Sequence, residues 1–402
     1  MKLWPFGAKS MSIEEVAKRI DGRSKNRASG AITALTALSV TTVLACCDAI
    51  ATSVAVPDLH VMRDLGDGKK EKAKNDPAYR LLHRRPNEFQ TAYEFREQLT
   101  FHAALHGTGI AIPTYDINGR LSELIPVMPG TWIRDKASRY TETYTISDEF
   151  GIIGKFNHDE LFIIRNRSYD RVEGLESVKL AAEAIRLSIA AEENVSLLQQ
   201  NAGKPGGIIK SPAKLSPEAI ERLRGLWGRG TTGENAYKTR VLDNGLDYTN
   251  PVMTAIDQQV LENRKFQVEE ICRAFMVFPQ IVMHTAKTAT FASAEAFFDG
   301  HNRLTAGKWQ KIWCEKLDEF ILDGAGPLYV AFDNRRMTAA SVKDTGEYYS
   351  KALGSGNGYG WMTQNEVRGE LGLEPLTGGD VLPIPLMKGK KPKKSEDEPD
   401  AT

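Results

Sequence analysis

The sequence contains few cysteines and no excess of charge of either sign. Four cysteines occur among 402 residues, and 52 lysines and arginines balance 52 aspartates and glutamates. Proteins that bind nucleic acid by neutralising phosphates usually carry a basic excess, so tight DNA binding is not expected, whereas a sliding contact is compatible with this balance. No Cys-x-x-Cys pair occurs, which argues against a disulfide framework or zinc ribbon and favours a reducing compartment.

The sequence also lacks a recognisable secretion signal, and it has one uncharged stretch long enough to span a membrane. The first residues have no apolar core followed by a cleavage site. The uncharged stretch, residues 28–47, is rich in Ser, Thr and Ala, and its larger apolar residues recur near helical spacing. Two interpretations are open. The composition favours an amphipathic helix packed on a core or a neighbouring subunit over a membrane span.

Motifs for catalysis are incomplete. His102 and His106 have the spacing of a helical zinc-protease motif, but Ala103 occupies the position of the required glutamate. The Gly-Lys-Pro stretch at 203–205 has proline where a phosphate-binding loop needs Ser or Thr, and the glycine-rich residues 354–360 follow a predicted helix rather than a strand. We therefore expect no enzyme, metal site or cofactor, and we expect the two histidines to pack as polar core residues.

Local signals predict helices followed by β-structure in the first part of the chain. A helix is predicted from Ala31 to Val54. In the next long helix, Thr91 and Glu94 form a capping box and Gly107 is the stop signal. Residues 109–166 are predicted to be β-structure, with Asn118-Gly119 as a two-residue hairpin turn.

Long helices are predicted for the middle of the chain. They cover Leu175–Gln200, Pro251–Phe278 and, after an interruption at Pro279, a segment that ends near Leu322. The loop Gln280–Ala294 contains a single lysine and no acidic residue.

A strand and two helices are predicted for the end of the chain. The strand follows Pro327. In the last helix Thr363 caps the first turn with Glu366, Val367 and Leu371 form the apolar face, and Gly372 is the stop. The mixed-charge tail is predicted to be disordered.

The last of these segments resembles a known family. The stretch YGWMTQNEVRGELGLEPLTGGDVLPIP resembles the C-terminal motif of tailed-bacteriophage portal proteins of the siphovirus type. Four further blocks follow the family's order: VLACCDAIATSVAVPDLHV, DPAYRLLHRRPNEFQTAYEFREQLTFHAALHGTGIAIP, GLESVKLAAEAIRLSIAAEENVSLLQQNAGKPGGII and VLDNGLDYTNPVMTAIDQQVLENRKFQVEEICRAFMVFPQIV. The chain departs from the family at Gly107-Thr108-Gly109, where Gly-Asn-Ala is frequent. The resemblance covers about residues 40 to 385.

The resemblance implies an α+β portal fold and a ring of about twelve subunits that make heterologous contacts. The expected regions are a flexible N-terminus (1–29), an α/β wing (30–173), a stem helix (174–202), a small α/β clip (203–250), a second stem helix (251–278), a channel loop (279–294), a long wing helix (295–326), a crown region (327–386) and a disordered tail (387–402).

The resemblance also implies surfaces for DNA, for partners and for subunit contacts. The channel loop would present His284, Thr285, Lys287, Thr288, Thr290 and Ser293, a composition that suits a low-friction lining. The clip would present Lys204, Lys210, Arg229 and Lys238. The intersubunit stem residues would be Asp257, Glu262, Arg264, Lys265, Glu269 and Arg273, and the crown residues Trp361, Thr363, Asn365, Glu366 and Arg368.

The implied function is a passive conduit at one capsid vertex for packaging and ejection of double-stranded DNA. The expected partners are the terminase large subunit, which would supply the motor, the major capsid protein or scaffold, and a head–tail connector protein. The expected location is the virion, with assembly in the host cytoplasm. Two alternatives are a phage DNA-processing enzyme, which would need a metal-carboxylate or nucleotide site, and a membrane-associated assembly protein that uses residues 28–47.

Overall fold

The chain divides into two compact units, Met1–Phe332 and Asp333–Thr402. The computed structural model describes residues 32–66, 69–136, 142–148, 151–170, 172–200, 208–212, 216–222, 247–249, 256–284, 291–322, 326–338, 342–354 and 359–383.

Helices contribute much of the core of the first unit. In chain order they are α1 (Ala34–Ala37), α2 (Thr41–Ala55), α3 (Pro77–His83), α4 (Ala92–His106), α5 (Ser177–Leu180), α6 (Ala182–Gln200), α7 (Ile256–Phe275), α8 (Phe291–His301) and α9 (Gly307–Ile321). Residues 217–222 are also helical.

The strands of the first unit form small sheets. They are β1 (Asp58–Gly66), β2 (Lys69–Lys72), β3 (Thr108–Tyr115), β4 (Leu121–Val127), β5 (Trp132–Lys136), β6 (Glu142–Asp148), β7 (Gly151–Asn157), β8 (Phe162–Arg165), β9 (Ile208–Lys210), β10 (Asp247–Thr249) and β11 (Leu328–Asp333). The sheet orders are β11-β1-β2, β4-β3-β8, β5-β6-β7 and β10-β9. Because β11 lies beside β1, the segment after Pro327 begins within the sheet of the first unit.

The predicted ends of α4 are confirmed. The Glu94 amide donates to the Thr91 hydroxyl at 3.3 Å, and the Thr91 amide donates to the Glu94 carboxylate at 2.8 Å. Gly107 ends the helix with a φ of 80°. A Cβ atom at Gly107 would lie 2.2 Å from the carbonyl oxygen of Gly174. The turn and the close approach of the two backbones therefore both require glycine.

The predicted hairpin between β3 and β4 exists, but its turn was wrong. The Asp116 amide donates to the Arg120 carbonyl at 2.8 Å, which leaves three residues in the loop. The Asp116 carboxylate accepts the amides of Asn118 and Arg120 at 2.8 and 2.9 Å, and Gly119 has a φ of 72°. A two-residue type I′ turn needs positive φ at both central residues, and Asn118 does not have it. The aspartate stabilises the longer turn with one left-handed glycine.

Trp313 lies near the centre of the main core. It is 1% exposed, and its indole nitrogen donates to the Thr100 hydroxyl at 2.9 Å. The rings of Phe95 and Phe162 lie 6.0 and 5.6 Å from the Trp313 ring. The paired indole N–H allows complete burial without an unsatisfied donor. These contacts join α9 to α4 and β8.

A second core fills the space between two of the sheets. Its largest fully buried side chain is Tyr144 of β6, which packs with Ile146 of the same strand and with Ile110 and Ile163 of β3 and β8. Alternation along β6 places Tyr144 and Ile146 on one face.

The predicted helix from Ala31 to Val54 is two helices. Between α1 and α2, the Ser39 hydroxyl donates to the Thr36 carbonyl at 2.7 Å, and Val40 is extended with φ −86° and ψ 111°. A serine side chain that bonds to nearby carbonyls competes with helical hydrogen bonding. The predicted helix Leu175–Gln200 is likewise divided at Ala181, which separates α5 from α6.

The other two long helices also differ from their predictions. The helix predicted over Pro251–Phe278 ends earlier, at Phe275, because Met276 adopts a left-handed φ of 59°; residues 251–255 lie outside the described part. The helix predicted to end near Leu322 contains a π-helical turn, Asn302–Ala306, between α8 and α9. Met276 and the π-helical turn are in contact, because Thr305 donates a hydrogen bond to the Met276 carbonyl.

The second unit contains three short helices in its described residues. They are α10 (Arg335–Thr338), α11 (Val342–Ala352) and α12 (Gln364–Glu370). Gly372, with φ 73°, follows α12 as predicted. Val367 of α12 is buried, but Leu371 is 50% exposed, so the predicted apolar face is correct for Val367 and wrong for Leu371 within this chain.

Of the two histidines of α4, His102 lies in the core and His106 is half-buried. His102 is buried, and burial together with the neighbouring His106 lowers its pKa to about 4. Among the residues that the structure describes, no cluster of three or more His, Cys, Asp or Glu side chains could hold a metal ion. In that same part of the chain, no helix has the length and apolar character to cross a bilayer.

Candidate functional site

The two long helices α6 and α7 pack directly against each other. Ile185 and Ile189 of α6 and Ile271 and Phe275 of α7 are buried and belong to the main core. At the described residues farther from the core, the contact becomes polar, with Arg264 of α7 3.7 Å from Glu192 of α6. The helices α6 and α7 are therefore held together by apolar side chains near the core and by charged side chains farther from it.

The predicted stem residues lie on α7, and three of them form ion pairs within the chain. Arg264 pairs with Glu192, while Arg273 pairs with Glu269 at 3.0 Å and also with Glu270. Exposed pairs of this kind contribute at most about 1 kcal/mol each.

The remaining predicted stem residues are Asp257, Glu262 and Lys265. Glu262 and Lys265 are exposed and form no ion pair among the described residues. Asp257 lies in α7, and its side chain is outside the description. Because Glu262 and Lys265 are exposed and have no ion pair among the described residues, they can meet another molecule.

The end of α7 is held by two side chains from distant parts of the sequence. The Thr305 hydroxyl, in the π-helical turn, donates to the carbonyl of Met276 at 2.6 Å. The Arg167 guanidinium donates to the Ala274 carbonyl. Carbonyls at a helix C-terminus lack partners within the helix, and cations there are favoured by the helix dipole. Arg167 and Thr305 therefore fix the point at which the chain leaves α7.

A second cation lies beside Arg167. Lys308 of α9 donates to the Asn166 side-chain oxygen at 3.1 Å. Burial, together with the positive charge of Arg167, lowers the pKa of Lys308 to about 8. Two cations are thus brought close to the C-terminal end of α7.

The predicted loop 280–294 is shorter than expected. Residues 279–283 form a compact turn, in which the His284 amide donates to the Pro279 carbonyl at 2.9 Å. Phe278 packs on Phe297 of α8 with ring centroids 6.2 Å apart. Because α8 begins at Phe291, the loop prediction was wrong for its last residues, which are helical.

Most of the predicted DNA-contacting residues lie outside the part of the chain that the structure describes. Ser293 lies within α8, with its side chain outside the description. Thr285, Lys287, Thr288 and Thr290 lie outside the described residues. His284 is described and half-buried.

One cleft brings together residues from two of the predicted groups. It has a volume of about 290 Å³ and lies where the start of α2 meets α6, α7 and the turn after α7. Arg264 and Lys265 of α7 line it together with His284, and Ser188 and Glu192 of α6 complete its polar wall. The side chains present more cationic groups than the single carboxylate, so the cleft suits an anionic group.

The predicted clip residues are largely outside the description. Lys210 is exposed at the end of β9 and lies opposite Asp247 of β10. Lys204, Arg229 and Lys238 lie outside the described residues. The two short strands pair antiparallel, so a small strand pair does connect the regions that follow α6 and precede α7.

The predicted crown residues surround α12. The Glu366 amide donates to the Thr363 hydroxyl at 3.1 Å, and the Thr363 amide donates to the Glu366 carboxylate at 2.7 Å, which confirms the capping box. Arg368 donates to the Glu374 carbonyl at 2.7 Å. Trp361 is 58% exposed and contacts the ring of Tyr348.

Asn365 joins α12 to the loop that follows it. Its amide nitrogen donates to the Leu376 carbonyl and to the Asp380 carboxylate, both at 2.9 Å, and its oxygen accepts the Leu376 amide at 2.7 Å. A Cβ atom at Gly379 would lie 2.5 Å from that oxygen. The loop is thereby held rigid, although its leucines remain exposed.

Sequence reasoning missed the residues that act over long sequence separations. Arg167, Glu192 and Thr305 contact α7 or the turn after it, and no local motif distinguishes them. The one available signal was the threonine and glycine at 305–307 inside a predicted long helix, where small or β-branched residues lower helix propensity.

The chain is similar to proteins of phage and of phage-like particles. A family model described as "Phage portal protein" matches residues 41–372. The portal protein of Enterobacteria phage HK97 is 24% identical over 350 residues, which are 86% of this chain and 81% of that protein. The probable portal protein of Streptomyces phage phiC31 is 27% identical over 230 residues, 54% of this chain and 48% of that one.

Solved structures share the fold. An HK97 family phage portal protein from Corynebacterium diphtheriae superposes with a TM-score of 0.58 at 16% identity, over 78% of this chain and 99% of that one. A chain from the neck of an empty GTA particle, computed with C6 symmetry, has a TM-score of 0.58 at 22% identity, over 89% and 94%. The mixed arrangement of helices and small sheets in this chain therefore occurs in solved structures.

Proposed function

This chain belongs to the phage portal protein family, and from that membership we propose that it assembles into a closed ring that conducts double-stranded DNA through one vertex of a capsid. The family match over residues 41–372 carries the proposal, because it includes both long helices and the turn that follows α7. The proposed ring has about twelve subunits related by heterologous contacts.

In this proposal the regions of the chain have the roles that the sequence predicted. The wing comprises residues 30–173 and the long helix region 295–326. The helices α6 and α7 are the stem, residues 203–250 are the clip, and the second unit includes the crown.

The charges of α7 support a ring contact along the stem. In a heterologous interface each subunit presents two different complementary faces. Glu262 and Lys265 are exposed without an ion pair among the described residues, so they can meet a neighbouring copy. Arg264, Glu269 and Arg273 are already paired within the chain, so their role between subunits would be an exchange of partners.

The cleft beside the channel loop supports a weak phosphate contact. Arg264, Lys265 and His284 line the same cleft, next to the residues that precede Lys287. A ring repeats every cation in each subunit, so a few per subunit provide contact with phosphates without sequence reading. DNA would pass non-specifically.

In this proposal the clip and the wing bind different partner proteins. The clip residues Lys204, Lys210, Arg229 and Lys238 would face the terminase large subunit during packaging and a connector protein afterwards. The major capsid protein or scaffold would surround the wing. The chain itself would supply no ATPase, and the motor would be the terminase. The proposed location is the virion, with assembly in the host cytoplasm.

Electron microscopy of the purified chain in negative stain tests the proposal. We expect particles with an axial hole and a rotational symmetry of about twelve. Filaments or compact particles without a hole, at every protein concentration tried, would contradict the closed ring.

A further inference from the structure

Two cysteines that are far apart in sequence are in contact in the core. The sulfur atoms of Cys46 in α2 and Cys272 in α7 are 3.8 Å apart, and both side chains are 0% exposed. Both thiols are free in this structure. The contact lies between helices that pack directly on each other, so a bond between these sulfurs would fasten α2 to α7.

The two thiols differ in acidity because they share one hydrogen bond. The two sulfurs lie at hydrogen-bond distance, and this contact lowers the pKa of Cys272 and raises that of Cys46. Arg273 also lowers the pKa of Cys272, whereas burial and Glu269 raise it. Once Cys272 loses its proton, Cys46 holds its own proton more tightly. The pair thus places a more acidic thiol in contact with a second thiol, the arrangement from which oxidation forms a disulfide.

The other two cysteines do not share this arrangement. Cys47 follows Cys46 in the sequence and is also buried. Its pKa is raised mainly by burial and secondly by the charge of Asp48. Cys314 is half-buried in α9, and burial raises its pKa to about 12. Neither has a sulfur partner among the described residues, so they serve as internal controls.

We propose that Cys46 and Cys272 are an oxidation site at which peroxide closes a disulfide between α2 and α7. The Cys272 thiolate attacks one oxygen of hydrogen peroxide, forms a sulfenic acid and releases hydroxide. The Cys46 sulfur then attacks the sulfenic sulfur, the S–S bond forms, and the hydroxyl group leaves as water with the Cys46 proton. The two thiols lose two electrons in total, and the peroxide is reduced by the same number.

The two sulfurs must move closer together for the bond to form. A disulfide needs its sulfurs about 2.05 Å apart, so the two sulfurs must approach by roughly 1.8 Å from their 3.8 Å separation. The cross-link would join positions that are 226 residues apart and would restrain the C-terminal half of α7, close to where the chain turns at Met276. The chemistry requires no ring and is independent of the proposed conduit.

Peptide mapping of the oxidised wild-type chain tests the site. After treatment with millimolar hydrogen peroxide, thiol blocking and trypsin, we expect peptide 28–63 linked to peptide 266–273, and dithiothreitol should separate them. The first peptide contains both Cys46 and Cys47, so the mapping is repeated on Cys47→Ser, which should retain the cross-link, and on Cys46→Ser, which should lose it. Cys314→Ser is a matched control that should retain the cross-link.

Thermal unfolding of the wild-type chain is a second test, and it needs no substitution. The oxidised wild-type chain should unfold roughly 5 °C higher than the reduced chain, because the cross-link closes a long loop. The proposal is overturned if Cys46 and Cys272 stay reduced while Cys314 is oxidised, if Cys47 is the residue linked to peptide 266–273, or if the linked chain unfolds at a lower temperature.

Discussion

The hydroxyl of Thr305 donates a hydrogen bond to the main-chain carbonyl of Met276 across 2.6 Å. Met276 is the left-handed residue that ends α7, and Thr305 lies in the π-helical turn that precedes α9. The two backbone irregularities therefore stabilise each other. This hydrogen bond joins the two ends of the segment 276–305, which contains the turn after α7 and all of α8.

Replacing Thr305 with valine should loosen the contact between the two ends of this segment. Valine keeps the shape of threonine but leaves the Met276 carbonyl without its donor, which costs about 1–3 kcal/mol. Amide hydrogen exchange over residues 277–284 should become faster. Thr305→Ser, which keeps the hydroxyl, should behave like wild type. Unchanged exchange in Thr305→Val would show that the hydrogen bond does not hold the turn.

Acid should destabilise the first unit partly through His102. The pKa of His102 is lowered to about 4, mainly by burial, whereas an unfolded histidine has a pKa of 6.5. Between these values the unfolded chain binds a proton that the folded chain does not. Stability is therefore lost as pH falls from 6.5 to 4, by up to about 3 kcal/mol for this group.

The variant His102→Gln isolates this contribution. It cannot take up the proton, so urea unfolding at pH 7 and pH 4.5 should show a smaller difference than in wild type. The burial of His106, His158 and His301 lowers their pKa as well, so some acid sensitivity should remain. Equal pH dependence of the variant and the wild type would contradict the assignment.

Asn365→Ala should loosen the second unit alone. The substitution removes three hydrogen bonds that join α12 to the loop after it. We expect faster amide exchange over residues 364–380 and little change in α4 of the first unit. Gln364→Ala, at an exposed position in the same helical turn, is the matched control and should change neither region. Protection of residues 376–380 equal to wild type would refute the bracing role.

Arg264→Glu should impair ring assembly more than folding. Its ion pair with Glu192 is exposed, with 43% and 54% of the two side chains accessible, so its loss should cost less than about 1 kcal/mol. A contact with a neighbouring subunit would be repeated around the ring, so the assembled fraction in light scattering should fall strongly. The double variant Arg264→Glu, Glu192→Arg restores the pair within the chain. If it also restores assembly fully, Arg264 acts within its own subunit instead.

Local signals in the sequence predicted the elements whose causes are local. The capping boxes at Thr91 and Thr363 and the stops at Gly107 and Gly372 each depend on residues within one turn, and all four are confirmed. The Asn118-Gly119 turn was misjudged because the carboxylate of Asp116 determines the loop length.

The functional region could be predicted only in pieces. The charges of Arg264 and Lys265 and the position of His284 were recognised separately, but their meeting in one cleft depends on how α7 packs and turns. The contacts of Thr305 with Met276 and of Cys46 with Cys272 join distant segments and leave no local pattern. The breaks at Ser39 and Ala181 have weak local signals.

The mass of the chain, purified without detergent, decides whether it forms a closed ring. One subunit has a mass of 44.5 kDa, so light scattering on a size-exclusion column should give a single species near twelve times that value, about 534 kDa. A species near 44.5 kDa at all concentrations, including those with capsid or scaffold protein added, would contradict the ring.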